Sequence, residues 1–399
     1  FYSCSQLKSL SISAKTIGDY AFSFCSELES VNFSDKLEII GDESFNSTGL
    51  SEVSVPSAVS HIGERAFATN KIEKITVDEN NQYYTSIDGV LFNKSETEII
   101  DYPNYTQAES YAVPQSVTSI GEYAFGGDIP SLKTIIIPDT VTEIGNGAFM
   151  DFYGLEYIDI PDSVTEIGDN AFNGCSQLAS ITIPNSVTEI GASAFRCCSS
   201  LQSVNLTEGL KSIGDYAFGG AYELSNVTLP NSLNDISPTA FFNSENFCEY
   251  LTDVSNPYFS VTDGVLYSKD KTELVSYPFG KKGNEYSVLS GTKSIGDYAI
   301  VCNNLDSVYV PKSVGTIGKN SVGYITDFTS DSCVIKPDFM IYGAIGSATE
   351  AYCLENDLAF FTDKPSQNIE VVSLNAGESA TFRIENANPE NVVYSTSDK

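Results

Sequence analysis

The sequence predicts an α/β-type, β-rich repeat solenoid built of coils of about 23 residues, and three observations carry that prediction. The text PDSVTEIGDNAFNGCSQLASITI (161–183) is followed at once by a near copy, PNSVTEIGASAFRCCSSLQSVNL (184–206). The dipeptide Ile-Gly begins at Ile17, Ile40, Ile62, Ile120, Ile144, Ile167, Ile190, Ile213, Ile295 and Ile317, with Ile236-Ser237 as a degenerate copy. Five residues after the Ile, usually behind an Ala, stands a large apolar residue: Phe22, Phe67, Phe125, Phe149, Phe172, Phe195, Phe218 and Phe241. Phased self-similarity at this period marks an array whose units are stable only against their neighbours.

Within one unit, Leu178, Ile181 and Ile183 alternate with Ser180 and Thr182, which predicts a short strand with one buried face. Pro184-Asn185-Ser186 turns the chain, because Pro presets φ and Asn tolerates a corner. Val187 and Ile190 form a second buried edge, and Gly191 is expected to supply a backbone angle that other residues resist. In the preceding copy Asp169 is expected to cap a single helical turn, Ala171-Phe172, which Gly174 ends. At roughly 4.8 Å per stacked strand, eleven coils predict a rod of about 50 Å before insertions.

Two Ile-Gly steps, of 58 and 59 residues, are far longer than the rest, and both gaps hold the same text. NQYYTSIDGVLFNKSETEIIDYP (81–103) aligns without gaps on NPYFSVTDGVLYSKDKTELVSYP (256–278). Asp88-Gly89 and Asp263-Gly264 sit between alternating runs, the signal of a two-residue hairpin. Each gap (about 78–112 and 253–289) is therefore expected to be a three-stranded excursion that enlarges one coil, a repeat variant and not a separate domain.

Across 399 residues, 21 Lys and Arg stand against 53 Asp and Glu, a net charge of −32. That balance argues against nucleic acid and anionic lipid as partners, since both need clustered cations. It suits an exposed surface that repels its own copies, hence a monomer. No stretch approaches the roughly 20 apolar residues that span a bilayer, so no direct membrane insertion is expected. The opening FYSCSQL matches the repeat interior FSFCSEL (22–28), so the chain reads as an excised piece and its lack of targeting signals carries no information.

The unit L-x-x-I-x-I-P-x-S-V-x-x-I-G-x-x-A-F-x-x-C resembles the BspA-like leucine-rich repeats of bacterial cell-surface proteins, over about residues 1–328. The resemblance implies a right-handed leucine-rich-repeat array on an extracellular, surface-bound protein. It also implies adhesion to host matrix, host cells or other bacteria through a protein or glycoprotein ligand. The D-G-V-L-F/Y…Y-P excursion is similar to a recurring element of that family. FMIYGAIGSATEAYCLENDLAFF (339–361), within a segment 329–364, resembles the cap that closes such arrays, with Ser347 and Glu350 at capping-box spacing before a short helix. Beyond Pro365, Val371, Ser373-Leu374 and Thr381–Ile384 read as two strands around the turn NAGES. Segment 365–399 is similar to the start of a bacterial immunoglobulin-like domain, and is too short for a whole sandwich of about 100 residues.

Candidate chemistry is sparse, and neither a catalytic site, a cofactor nor a metal is expected. His61, the one histidine, holds the slot that Glu143, Glu166 and Glu189 fill in other copies, and reads as part of a solvated face. Without it, Ser-His-Asp and Cys-His mechanisms lose their base. Paired carboxylates are the remaining enzymatic route, but so many acids produce pairs by accident. The glutamate file reads as a solvated acidic face; a calcium ladder is the alternative, without D-x-D-x-D-G text to support it. Cys4, Cys25, Cys175, Cys198, Cys248 and Cys302 each stand three residues before the repeat Leu or its equivalent, and read as small interior residues. Parallel side-chain vectors make a Cys175–Cys198 disulfide poor geometry. Cys197, Cys333 and Cys353 are off phase and unassigned.

Binding suits a solenoid better, because its stacked strands present one continuous face. Outward strand positions are mostly small and polar, and the departures cluster at Thr134, Ile136, Tyr157 and Asp159, with Lys133 and Glu156 beside them. An exposed Ile and Tyr on adjacent coils is either an anchor pair or two tolerated apolar residues on a sheet. The other uses of such an array are as a spacer presenting another module, or as a polysaccharide-binding accessory. For the latter, Tyr102 and Tyr277 are the sugar-stacking candidates, with no Trp in the chain.

Overall fold

The computed structural model describes residues 1–68, 71–327 and 332–362, so the expected immunoglobulin-like segment 365–399 lies outside the described residues. Alternation along SITI makes Ser180–Ile183 a strand whose isoleucines turn inward, and it pairs in parallel with the next coil, Ile181 opposite Val204. A second edge is a two-residue strand such as Glu166–Ile167, with Ile167 inward and opposite Ile190. The third edge is the phenylalanine column. Phe149 and Phe172 stack with centroids 4.9 Å apart, and Phe172 and Phe195 with 5.0 Å at an interplanar angle of 3°. Stacked identical coils thus bury identical side chains against each other, which is why one sentence repeated suffices to build the core.

The array has about 15 coils. It exceeds the number of Ile-Gly sites partly because Ile99 and Leu274, in the excursions, take the Ile place and pair with Ile120 and Ile295. Strands Met340–Tyr342 and Phe360–Phe361 extend the first edge at the C-terminal end.

Three local expectations are corrected. The turn Ala171-Phe172 is not helical: Asn170 (φ 57°) and Gly174 (φ 83°) flank it with left-handed backbone, so helical dihedrals cannot propagate. The residue three after the Ile is left-handed along the array, as at Tyr20, Arg65, Tyr123 and Tyr216. Asp169 does not cap its own coil; its Oδ1 accepts from the amide of Ala192 in the next coil, at 2.7 Å. Gly191 is needed for contact and not for φ, since a Cβ there would lie 2.8 Å from the Asp169 nitrogen and the Gly168 carbonyl carbon.

The cysteines divide. Cys175 and Cys198 are buried and donate Sγ–H to the carbonyls of Phe149 and Phe172 one coil back, both at 3.2 Å. Ser244 fills the same slot and bonds Phe218 at 2.9 Å. Cys25 and Cys302 are buried too, but Cys4 is exposed and Cys248 half-buried, against the expectation of interior placement, and all the thiols are free.

At the C-terminal end, Ala348–Glu355 is the one α-helix among the described residues. Ser347 Oγ accepts from the Glu350 amide, while the Glu350 carboxylate accepts from Gly346, one residue earlier than a capping box prescribes. Tyr352 ties the helix to the array through a hydroxyl that meets the Val322 amide at 3.2 Å.

The excursions do more than enlarge a coil. Strands Tyr84–Ile87 and Val90–Asn93 form an antiparallel hairpin, with Asp88 (φ 51°) and Gly89 (φ 87°) in the positive angles of its tight turn. The turn reaches the first edge, where the Gly89 carbonyl accepts from Ile75 at 2.8 Å, and the third strand Glu98–Asp101 joins the second edge. The hairpin therefore lies across the stack as a partition. Leu91 packs into the N-terminal core cluster while Val90 and Phe92 pack into the central one. Strands Phe259–Thr262 and Val265–Ser268 repeat this, with Leu266 in the central cluster and Val265 and Tyr267 in the C-terminal one.

A buried asparagine clamps each partition. Asn81 donates to the carbonyls of Pro56 (2.8 Å) and Val59 (2.9 Å) and accepts from Tyr83 and Tyr84, both at 2.8 Å. Asn256 donates to Pro230 (3.1 Å) and accepts from Tyr258 (2.9 Å) and Phe259 (2.8 Å).

Candidate binding surfaces

Strands Thr134–Ile136 and Tyr157–Asp159 are neighbours, with Thr134 opposite Tyr157 and Ile136 opposite Asp159. Their central residues Ile135 and Ile158 are buried, so the flanking residues point out. Ile136 is 59% exposed and Tyr157 54%, on the diagonal of the pair; Asp159 is exposed and Thr134 half-buried. The fold thus brings the four predicted residues onto one patch. Lys133 and Glu156 form an exposed ion pair with each other beside it. His61 and the Glu143, Glu166, Glu189 file are exposed on the second edge.

The sugar-stacking candidates are overturned. Tyr102 and Tyr277 are 3% and 4% exposed. Tyr102 takes the phenylalanine place and stacks on Phe125 at 4.9 Å, and both tyrosines meet a second ring edge-on at 4.8 Å, Tyr111 and Tyr286 respectively. They are core residues because the excursion returns its chain to the aromatic column.

That return also opens two grooves that sequence reasoning missed. In a regular coil five residues separate the Ile from the Phe; in the excursions three separate Ile99 from Tyr102 and Leu274 from Tyr277. The outward loop is shortened there, and the loops on either side stand apart. The first groove, about 350 Å3, is lined by Glu64, Arg65, Glu98, Asp101, Glu122 and Tyr123 among others. The second, about 590 Å3, has the matching residues Glu273 and Asp297, with Asp235, Ile236, Phe259 and Val275. The three-residue return was readable in the sequence and is the signal that would have found both.

Electrostatics differ between them. In the first groove burial pushes the Asp101 carboxyl up to about 8. Burial, followed by repulsion from Glu143, raises Glu98, and burial with a carboxyl–carboxyl contact to Glu122 raises Glu64. The Arg65 guanidinium lies over the Tyr123 ring, 5.4 Å from its centroid. Among the described residues no cluster has metal-binding geometry.

Comparison with known proteins matches this architecture. The family described as BspA type Leucine rich repeat region matches residues 1–117, 118–248 and 266–330, more than half of the chain. The chain belongs to the BspA-type leucine-rich repeat family. This BspA-type chain is similar in structure to a leucine-rich cell surface protein from Faecalibacterium prausnitzii, with 28% identity and a TM-score of 0.50 over 63% of its length. It spans 61% of that protein. It is also similar to a leucine-rich repeat protein from Eubacterium ventriosum, with 27% identity and a TM-score of 0.51, covering 67% of this chain and 83% of that one. No curated protein matches the sequence. Among the described residues of the BspA-type array, no helix is long and apolar enough to cross a membrane.

Proposed function

We propose that the chain is a non-enzymatic, extracellular display surface of a bacterial cell-surface protein, binding a protein or glycoprotein in adhesion. On this reading residues 1–328 are the display array, 329–364 its cap and 365–399 the start of an immunoglobulin-like module. The observation that carries the reading is the patch of Ile136 and Tyr157, adjacent and more than half exposed on a strand face whose other outward residues are mostly small and polar, with Leu251 and Tyr309 less exposed and apart from each other. Large apolar groups held on stiff backbone lose little entropy on binding, and Tyr supplies both apolar area and a hydroxyl. Thr134 and Asp159 would give the polar rim.

The test is a solid-phase screen of the chain against matrix glycoproteins, mucins and polysaccharides at physiological salt, beside Ile136→Ser/Tyr157→Ala. Saturable binding to a glycoprotein, weakened at least tenfold in the double variant with unchanged circular dichroism, is the expected result. Unchanged affinity would remove the site from this face. Silence across the panel would leave the array as a spacer.

A further inference from the structure

The two grooves share an origin but differ at their open edge. In the parallel ladder of the second edge, alternate residues point their amide and carbonyl to opposite sides. Asp235 and Ser237 donate back to Lys211 and Ile213, so Ile236 directs its own amide and carbonyl forward, into the second groove. Among the described residues no hydrogen bond meets either atom. In the first groove the equivalent forward amide, of Ile62, is met by the hydroxyl of Tyr84 at 3.1 Å. Phe259 stands at the tyrosine's place in the second groove and has no hydroxyl to give.

Charge follows the same division. The first groove is lined by a cation of its own, Arg65, whereas Thr239 occupies the matching position in the second and no lining residue there is basic. Its rim carries Asp235, Glu273 and Asp297, above an apolar floor that includes Phe259 and Val275. Of these, Asp297 accepts from the Lys319 amide at 2.7 Å, and its charge still faces the groove unneutralised by any lining cation.

We infer that the second groove is a docking site for a short extended polypeptide segment carrying a basic side chain. The segment's backbone would pair with the free amide and carbonyl of Ile236, as an added strand does at any open sheet edge. Its apolar residues would cover Phe259 and Val275, and its guanidinium or ammonium would sit among the three rim carboxylates. In the first groove the chain itself meets the forward amide, through Tyr84, and supplies a cation among the carboxylates, Arg65. This inference is independent of the strand-face reading.

The experiment uses the whole chain and a fluorescein-labelled pentapeptide, Thr-Val-Arg-Val-Thr with blocked ends, followed by anisotropy at physiological salt. Saturable binding with one site per chain is expected, lost when the arginine of the peptide is replaced by glutamate. Asp235→Asn/Glu273→Gln should weaken binding at least tenfold. Phe259→Tyr, which adds one oxygen able to meet the Ile236 amide, should weaken it several-fold. Melting temperature reports whether each variant folds, and the conservative Phe259→Tyr decides if the charge variant does not. No saturable binding by the wild-type chain, or unchanged affinity in both folded variants, would overturn the inference. So would loss of peptide binding in Ile136→Ser/Tyr157→Ala, which would move the peptide to the strand face.

Discussion

At the second partition Ser276 lies 2.9 Å from the hydroxyl of buried Tyr250; at the first, the same two places hold Asp101 and Ile75. The hairpin text, the tight Asp-Gly turn and the asparagine clamp are common to both. The difference teaches that folding a partition needs only the clamp, the turn and the alternating Val-Leu-aromatic strand. The residues around them are free to set the chemistry of the groove. One partition meets its forward amide from within the chain and holds a raised carboxyl in its groove; the other pairs the hydroxyls of Tyr250 and Ser276 and leaves the matching amide open.

A regular coil, which both partitions interrupt, offers the largest contrast. Ile167 is 2% exposed in the central core, so Ile167→Asp should cost about 4 kcal/mol or more and unfold the array cooperatively, as read by thermal melting. An unchanged melting temperature would show that the coils are not stacked in this phase. The clamps come next. Asn81→Leu removes two bonds to carbonyls and two from amides, and should cost about 4 kcal/mol in denaturant unfolding; Asn256→Leu removes one bond fewer, to a carbonyl, and should cost about 3. Equal costs would mean that the bond to Val59 contributes nothing.

Asp101 makes the comparison pH-dependent. Its carboxyl is raised from 3.8 to about 8 in the fold, so folding takes up a proton between those values. Stability is full below about 4, falls as the pH rises, and levels off above about 8. Four units at about 1.4 kcal/mol each would set an upper bound near 6 kcal/mol. Asp101 is only half-buried, and water reduces the expected figure to about 2 kcal/mol. Asp101→Ser, which copies the second partition, should raise the melting temperature at pH 8 and leave it unchanged at pH 4. Equal gains at both values would mean that the group is not raised.

The phasing of Ile17 to Ile317, and with it the solenoid, was legible because stacking makes each buried position recur at one period. The four patch residues were legible as departures from that period. The turns were not: Asn170 and Gly174 look like a helix end, and only the neighbouring coil, whose amides claim Asp169, decides between a cap and a bridge. Tyr102 and Tyr277 misled for a similar reason. Read inside the excursion they look exposed, and read from the Ile place they come two residues earlier than the Phe of a regular coil, whose place they nonetheless take. Interactions between coils some 23 residues apart are what the local text leaves out.

The smallest effect tests the edge itself, where Tyr84 and Phe259 exchange roles. Tyr84→Phe removes the acceptor of the Ile62 amide and should cost about 1 kcal/mol, the net value of one hydrogen bond in a partly solvated place. Phe259→Tyr should return a similar or smaller amount at the second partition, because its hydroxyl replaces water at the Ile236 amide and not an empty space. Both are measurable as opposite shifts of the denaturation midpoint with an unchanged slope. If both variants are neutral, the hydroxyl is interchangeable with water at either edge, and the first groove is closed by Arg65 and its acidic neighbours alone. If Phe259→Tyr is destabilising, the floor of the second groove is packed too closely to admit one more oxygen, and the two partitions differ in their backbones as well as in their side chains.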